Sequence, residues 1–224
     1  MATRRVLALF AKWPRPGDAK TRLGDFGAEV ALAFLLDSVA RYSQVDAHRI
    51  LAFTPPDAGK SFADMVHGRF HLVPQLHGDL GQRLAGFLTG QFRAGAEAVV
   101  FLGTDSPTLP LDYTIDAFAR LDTADVVLGP ATDGGYYLLG CARRVPPIFD
   151  GIAWGTSRVL GRTVACLSDP QWRLSLLPPW YDVDTPDDWA MLCGHLAALR
   201  RSGIDPQLPH TEALAKGSRA FSDC

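Results

Sequence analysis

The sequence predicts an α/β protein with a Rossmann-like, mostly parallel sheet, helices on both faces and a small antiparallel insertion. Three observations carry that expectation. Short apolar runs bounded by turn residues recur along the chain, and apolar stripes at helical spacing fall between them. Charged and glycine-rich clusters stand where the runs end.

The first run, VLALFA (6–11), reads as a buried strand. The opening MATRRVLALF is basic then apolar, but the apolar run stops at Lys12 and has no small-residue cleavage site, so a strand is expected rather than a leader. Leu23, Phe26, Val30, Phe34 and Val39 then form the apolar stripe of a long helix. RILAFT (49–54), FHLVP (70–74), AVVFLGT (98–104) and DVVLGP (125–130) continue the strands. Leu80, Leu84, Phe87, Leu88 and Phe92 mark a second helix, and Ile115, Phe118 and Leu121 a third over roughly 111–121. After residue 130 the alternation breaks, because YYLLGCA (136–142) follows after only a short turn, and an antiparallel insertion near one edge is expected. RLSLLP (173–178) reads as a later strand, and Trp189, Leu192, Leu196 and Leu199 as a last helix after Pro186. A single domain over 1–201 follows, with 202–224 as a loosely packed C-terminal extension rich in small polar residues, Gly and Pro.

Composition excludes several classes. The chain of 224 residues is 47% hydrophobic and 21% charged with net charge −2, which fits a soluble protein with a sizeable core. A broad basic face for nucleic acid or a membrane surface is not expected, so anion binding has to be local. No run reaches the roughly 20 apolar residues of a membrane span. Cys141, Cys166, Cys193 and Cys224 form no C-x-x-C pair, the six histidines show no metal-ligand spacing, and a reduced, cytoplasmic setting is expected.

Open α/β sheets bind ligands beyond the carboxyl ends of their strands. The first strand here runs into FAKWPRPGDAKTRL, with Lys12, Arg15, Lys20 and Arg22. Gly103-Thr104-Asp105-Ser106-Pro107 follows the fourth strand, and Ala131-Thr132-Asp133-Gly134-Gly135-Tyr136 the fifth. Asp182-Val183-Asp184-Thr185-Pro186 precedes the last helix. Positive charge at one strand end and carboxylates at the others suit a nucleoside di- or triphosphate with a divalent cation. Lys and Arg complement phosphate charge at a helix start, and a hard cation takes carboxylate oxygens and water.

Each residue also has a purely structural reading. Asp105 before Ser-Pro resembles a turn or helix cap, and Asp184-Thr185-Pro186 an N-cap followed by proline. Asp187 and Asp188 suit the first turn of a helix and carry no chemistry. Gly134-Gly135 can serve only a tight turn, and Lys12 and Arg15 can be solvated loop charges. Co-location at strand ends favours function. The sequence has no G-x-x-x-x-G-K-[ST], no G-x-G-x-x-G after the first strand and no G-x-S-x-G, which argues against P-loop ATPases, NAD(P) dehydrogenases and serine hydrolases.

AKWPRPGDAKTRL, LHGDLGQRL, LGTDSPTLP, GPATDGGYYLLG, IAWGTSRVL and YDVDTPDDW together resemble a bacterial family of nucleotide-diphospho-sugar transferases. That family includes a group associated with radical-SAM enzymes and arsenosugar biosynthesis. It is similar in fold to molybdenum-cofactor nucleotidyltransferases and to 2-phospho-lactate guanylyltransferase, the fold called GT-A in glycosyltransferases. The resemblance spans roughly 5–195.

It implies roles by position. Lys12, Lys20, Thr21 and Arg22 would hold phosphates, and Gln82 and Arg83, after Gly81, would contact the nucleotide. Asp105 and Asp184 would ligate Mg²⁺ or Mn²⁺. Gly134, Gly135, Tyr136, Trp154 and Thr156 would line the acceptor side, with Asp133 placed to orient or deprotonate an acceptor hydroxyl. Two features depart from the wider pattern. Prolines and lysines replace most glycines of the usual first loop, and the glycosyltransferase D-x-D is reduced to Asp105-Ser106-Pro107.

The leading expectation is a metal-dependent transferase moving sugar from a nucleotide sugar to a small acceptor. The alternative is a nucleotidyltransferase that joins an NTP to a small phosphorylated acid or cofactor and releases pyrophosphate. A third is a nucleotide-binding partner protein without turnover.

Overall fold

The computed structural model describes residues 4–217. Seven strands form one sheet: β1 Arg5–Lys12, β2 His48–Thr54, β3 His71–Pro74, β4 Ala98–Leu102, β5 Val126–Pro130, β6 Tyr136–Ala142 and β7 Leu174–Leu176. Seven α-helices surround it: α1 Gly27–Tyr42, α2 Gly59–Val66, α3 Leu80–Arg93, α4 Leu111–Arg120, α5 Val159–Cys166, α6 Pro186–Arg201 and α7 Pro209–Gly217. The sheet order is β3-β2-β1-β4-β6-β5-β7. All pairings are parallel except those of β6, which runs antiparallel to both neighbours. The expected antiparallel insertion is therefore this one strand, wedged between β4 and β5 rather than added at an edge.

Both faces of the sheet are buried, which is why its strands read as continuous apolar runs. Side chains alternate sides along a strand. Leu7, Leu9 and Ala11 accordingly join one core with α1, α2 and α4, and Val6 and Ala8 join another with α3. A third cluster gathers Val30 and Phe34 of α1, Val183, Trp189 and Leu192 of α6, and Leu208.

The chain beyond α6 differs from the expected loosely packed extension. Helix α7 lies against α1, and Leu208, Thr211 and Ala215 are buried. The physical reason sits in α1. Asp37 is fully buried and accepts from His210 N at 3.1 Å, Thr211 N at 2.8 Å and Thr211 Oγ1 at 2.7 Å, so one helix supplies the N-terminal cap of another. Residues 218–224 of that expectation, and Cys224, lie outside the described residues, as do residues 1–3.

Among the described residues the three cysteines are free, and no helix is long and apolar enough to cross a membrane. The connections after β1, β3, β4, β5 and β7 leave the sheet at the carboxyl ends of their strands, whereas the one that carries Trp154 and Thr156 leaves antiparallel β6 at the opposite end and returns to meet Gly134.

Candidate active site

The loop after β1 is folded back onto the start of α1. Lys20 adopts the left-handed conformation (φ 45°, ψ 48°), and its carbonyl presses against Gly27, where a Cβ would come within 2.3 Å of that oxygen. Glycine at 27 therefore lets the loop close and carries the Lys20 side chain inward. Its Nζ meets Asp105 Oδ1 at 2.5 Å, Val183 O at 2.6 Å and Asp184 Oδ1 at 3.2 Å, and lies 5.2 Å from the centre of the Phe34 ring. An ammonium has three donors, and here three acceptors match them. Burial alone favours the neutral amine, but Asp105 and Asp184 outweigh it and the Lys20 pKa is raised.

The two carboxylates reach this point from different elements. Asp105 follows β4, and its carbonyl accepts from Val183 N at 2.9 Å, which pins the 182–184 segment alongside. In that extended segment Val183 is buried in the third cluster. Residues two apart share a side of an extended chain, so Asp182 and Asp184 both line the cleft. The N-cap of α6 is Thr185, in a reciprocal box with Asp188, so Asp184 is free of capping work. Asp105 caps no helix either: α4 starts at Pro110 without a side-chain cap.

Asp105 and Asp184 divide two adjoining cavities, which also share Phe10 and Leu80. One, about 340 Å³, is lined by Lys12, Gln75, Arg83 and Thr104 together with the edge of Lys20. Gln75 Nε2 bonds Ala52 O at 2.8 Å and Ala11 O at 3.3 Å, while Arg83 bonds Gly78 O at 2.8 Å. The other cavity, about 420 Å³, is lined mostly by apolar side chains and also by Asp133 and the more deeply buried Asp182. Asp133 Oδ1 accepts from Gly135 N at 2.7 Å, closing the turn between β5 and β6. Gly134 (φ +93°) packs against the Ser157 backbone, so Trp154 and Thr156 come beside that turn. The Trp154 indole also rests on Gly81 of α3, where a Cβ would lie 2.6 Å from Nε1.

Asp182 is the residue that sequence reasoning passed over. Ser106 Oγ donates to its Oδ1, yet its pKa is pushed up to about 6. Burial is the main cause, and repulsion from Asp105, Asp133 and Asp184 adds to it. The D-V-D alternation was the signal available. Gln75 was also missed, although it directly follows the β3 run.

The cleft thus unites Lys12, Lys20, Arg83, Asp105, Asp133, Gly135, Tyr136, Trp154, Thr156 and Asp184. Four expected residues do not line it, the first being Gly134, which packs against the Ser157 backbone. Thr21 and Arg22 are exposed on the 3-10 turn that follows left-handed Lys20, and neither lines either cavity. Gln82 is held in a capping box with Asp79, its Oε1 accepting from Asp79 N at 3.0 Å. Arg15, left open, pairs with Asp57 at 2.6 Å on the surface. Tyr136 contributes its ring; its hydroxyl is buried and raised well above the ordinary tyrosine value.

The residues present fit a divalent cation. Two carboxylate oxygens already bracket one cationic nitrogen, and both carboxylates are about half exposed, leaving room for water or phosphate oxygens to complete a shell. Among the described residues no group of three or more His, Cys, Asp and Glu side chains is placed to hold a metal ion.

Comparisons with known proteins agree with this architecture. A family profile described as "Uncharacterized protein conserved in bacteria (DUF2064)" matches residues 35–156. A Desulfovibrio desulfuricans G20 protein, provisionally named a nucleotide-diphospho-sugar transferase, is 30% identical with a TM-score of 0.83, the match covering 96% of this chain and 98% of that one. Rv0371c of Mycobacterium tuberculosis H37Rv, solved with manganese, is 16% identical with a TM-score of 0.51 over 85% of this chain and 98% of that one. A CMP-2-keto-3-deoxy-manno-octonic acid synthetase with CTP is 13% identical with a TM-score of 0.55 over 89% and 100%. The latter two show shared fold alone. No curated protein matches in sequence.

Proposed function

The chain belongs to the DUF2064 family of bacterial proteins, and from that premise we propose that it is a transferase moving a sugar from a nucleotide-activated donor to a small acceptor. One observation carries the reading: a cavity lined by Lys12, Lys20 and Arg83 and a second, largely apolar cavity carrying Asp133 meet at the paired carboxylates Asp105 and Asp184. The cavity with Lys12 and Arg83 suits the nucleotide and its phosphates, and the cavity with Asp133 suits the acceptor. The reacting bond then lies where they join. The name given to the Desulfovibrio relative supports the donor class.

Asp105 and Asp184 would hold Mg²⁺ or Mn²⁺, which neutralises charge on the diphosphate leaving group when bound. Lys12 and Arg83 bind the same diphosphate from the other side. Lys20, with its donors already matched, positions Asp105 and Asp184 and adds a fixed positive charge beside them. In the transfer, the acceptor oxygen bonds the anomeric carbon as that carbon's bond to the diphosphate oxygen breaks. The electron pair leaves with the nucleoside diphosphate, and Asp133 takes the hydroxyl proton through its unbonded Oδ2.

The test is product analysis with a panel of nucleotide sugars and Mn²⁺. Free nucleoside diphosphate with glycosylated acceptor is the expected result. Pyrophosphate release from an NTP would instead support nucleotidyl transfer and overturn this reading.

A further inference from the structure

We infer that the acceptor is an uncharged alcohol with an apolar or aromatic body, and that phosphorylated or carboxylated acids are excluded from its cavity. The inference rests on the transferase reading and narrows its substrate class.

The cavity's floor and walls are Phe10, Leu84, Phe101, Leu139, Trp154 and Val159. The rings are fixed in place: Phe10 and Phe101 meet edge-on with centroids 5.2 Å apart, and Tyr136 and Trp154 do so at 6.3 Å. Such a surface recognises apolar area and offers few hydrogen bonds to a polyhydroxylated or ionic body.

Charge gives the second half of the argument. Four carboxylates, Asp105, Asp133, Asp182 and Asp184, line this cavity, and among the described residues no lysine, arginine or histidine does. Lys20 offsets one of these charges from behind Asp105 and Asp184. Asp133 and a share of the others remain, and the cavity stays negative. A divalent ion bound together with a nucleotide diphosphodiester adds opposite and nearly equal charges, which leaves that sign unchanged. An anionic acceptor would lose its hydration against an apolar floor while facing only like charge, and nothing there compensates it. A neutral hydroxyl carried on an apolar body meets the floor with its body and Asp133 with its O–H.

The full chain can be titrated by ligand-observed NMR with two probes that share a ring: 4-hydroxyphenethyl alcohol and 3-(4-hydroxyphenyl)propanoate. The alcohol is expected to bind at least roughly 10-fold more tightly than the carboxylate, with a preference that weakens as salt rises. Thr156→Arg, which places a cation at the exposed rim, is expected to reduce that preference by about 10-fold by recruiting the carboxylate. Equal or tighter binding of the carboxylate by the native protein overturns the inference, as does failure of the alcohol to bind. Thermal shift with nucleotide sugars in the same preparation reports on the transferase reading separately. Nucleotide binding without the alcohol preference removes this inference alone. The alcohol preference without nucleotide binding upholds the cavity's chemistry and removes the transferase reading.

Discussion

Lys20 Nζ stands 2.5 Å from Asp105 Oδ1, so a chain segment expected to grip phosphate holds instead a carboxylate expected to grip metal. The lysine side chain is only 4% exposed, and it ties the loop after β1 to the ends of β4 and to Asp184. Replacing Lys20 with Met leaves two carboxylates facing each other without their cation. The variant is expected to lose roughly 1–2 kcal/mol, a discounted value because both carboxylates are half exposed, or about 3–8 °C in melting temperature. Mn²⁺ should restore more of that loss than it adds to the native protein, since it no longer competes with an ammonium. Differential scanning fluorimetry with and without Mn²⁺ checks this. Identical melting and identical metal response would show that the three contacts carry no energetic weight.

Gly81 sets the position of Trp154. A Cβ there would approach Phe149 O to 2.4 Å and Trp154 Nε1 to 2.6 Å, and the first of these is backbone that cannot swing aside. Gly81→Ala is therefore expected to cost about 1–3 kcal/mol through overpacking and to displace the 153–156 segment. Because Trp154 walls only the acceptor cavity, the acceptor KM should rise several-fold more than the donor KM in initial-rate kinetics. Equal changes in both would separate Trp154 from acceptor binding.

Asp37 makes a third prediction, about stability rather than chemistry. Its carboxylate is the cap of α7 and is buried, so Asp37→Ala strands the His210 and Thr211 N–H groups. A loss of about 2–3 kcal/mol is expected in chemical denaturation. Asp37→Asn keeps an acceptor oxygen and should lose less. Wild-type stability in both would mean that α7 docks through its apolar contacts alone.

These cases also show what was legible in the sequence. The inner strands could be placed because burial on both faces leaves long apolar runs such as VLALFA and AVVFLGT, while the short edge strands β3 and β7, only partly buried, still show as FHLVP and RLSLLP. Helices α1, α3, α4 and α6 could be placed because their apolar stripes are long. The eight-residue helices α2 and α5 show too few turns for a stripe to emerge, and α7 depends on Asp37, a partner more than 170 residues away. In the site, residues right after a strand were readable, as Asp105, Asp133 and Asp184 show. What could not be read was direction. Lys20 is left-handed and Arg22 after it is exposed on a 3-10 turn, while a capping box with Asp79 occupies the Gln82 Oε1. Asp182 was visible as half of D-V-D, but only the pairing of Val183 with Asp105 shows that both carboxylates enter the cleft.

A pH dependence follows from Glu212, which Arg200 grips through two bonds at 2.7 and 2.6 Å. Hydrogen bonding from Arg200 is the main cause of a lowered Glu212 pKa, burial opposing it. A depressed carboxylate pKa stabilises the fold above the unfolded value, 4.5, and that stability is lost as pH falls through the folded value. The stability gap between the native protein and Glu212→Gln should thus be constant from neutral pH down to near 5 and shrink in more acidic solution. A gap that grew on acidification would have the wrong sign for this linkage.

Asp105 and Asp182 can be told apart by the same substitution. Asn has the shape of Asp and keeps an acceptor oxygen, so neither variant should disturb the backbone pairing of Val183 with Asp105 or the fold around it. Asp105→Asn removes one of the two carboxylates proposed to hold the metal, so transferase turnover should fall at least roughly 100-fold and Mn²⁺ should no longer raise the melting temperature. Asp182→Asn leaves both of those carboxylates in place and still accepts from Ser106, so the Mn²⁺ response should persist. What Asp182→Asn removes is negative charge on the acceptor side, and its expected signature is weaker discrimination against carboxylated acceptors. Near-normal, Mn²⁺-dependent turnover in Asp105→Asn would take the metal away from this carboxylate. Loss of the Mn²⁺ response in Asp182→Asn would move the metal towards the buried side of the cleft and make Asp182, not Asp184, the partner of Asp105.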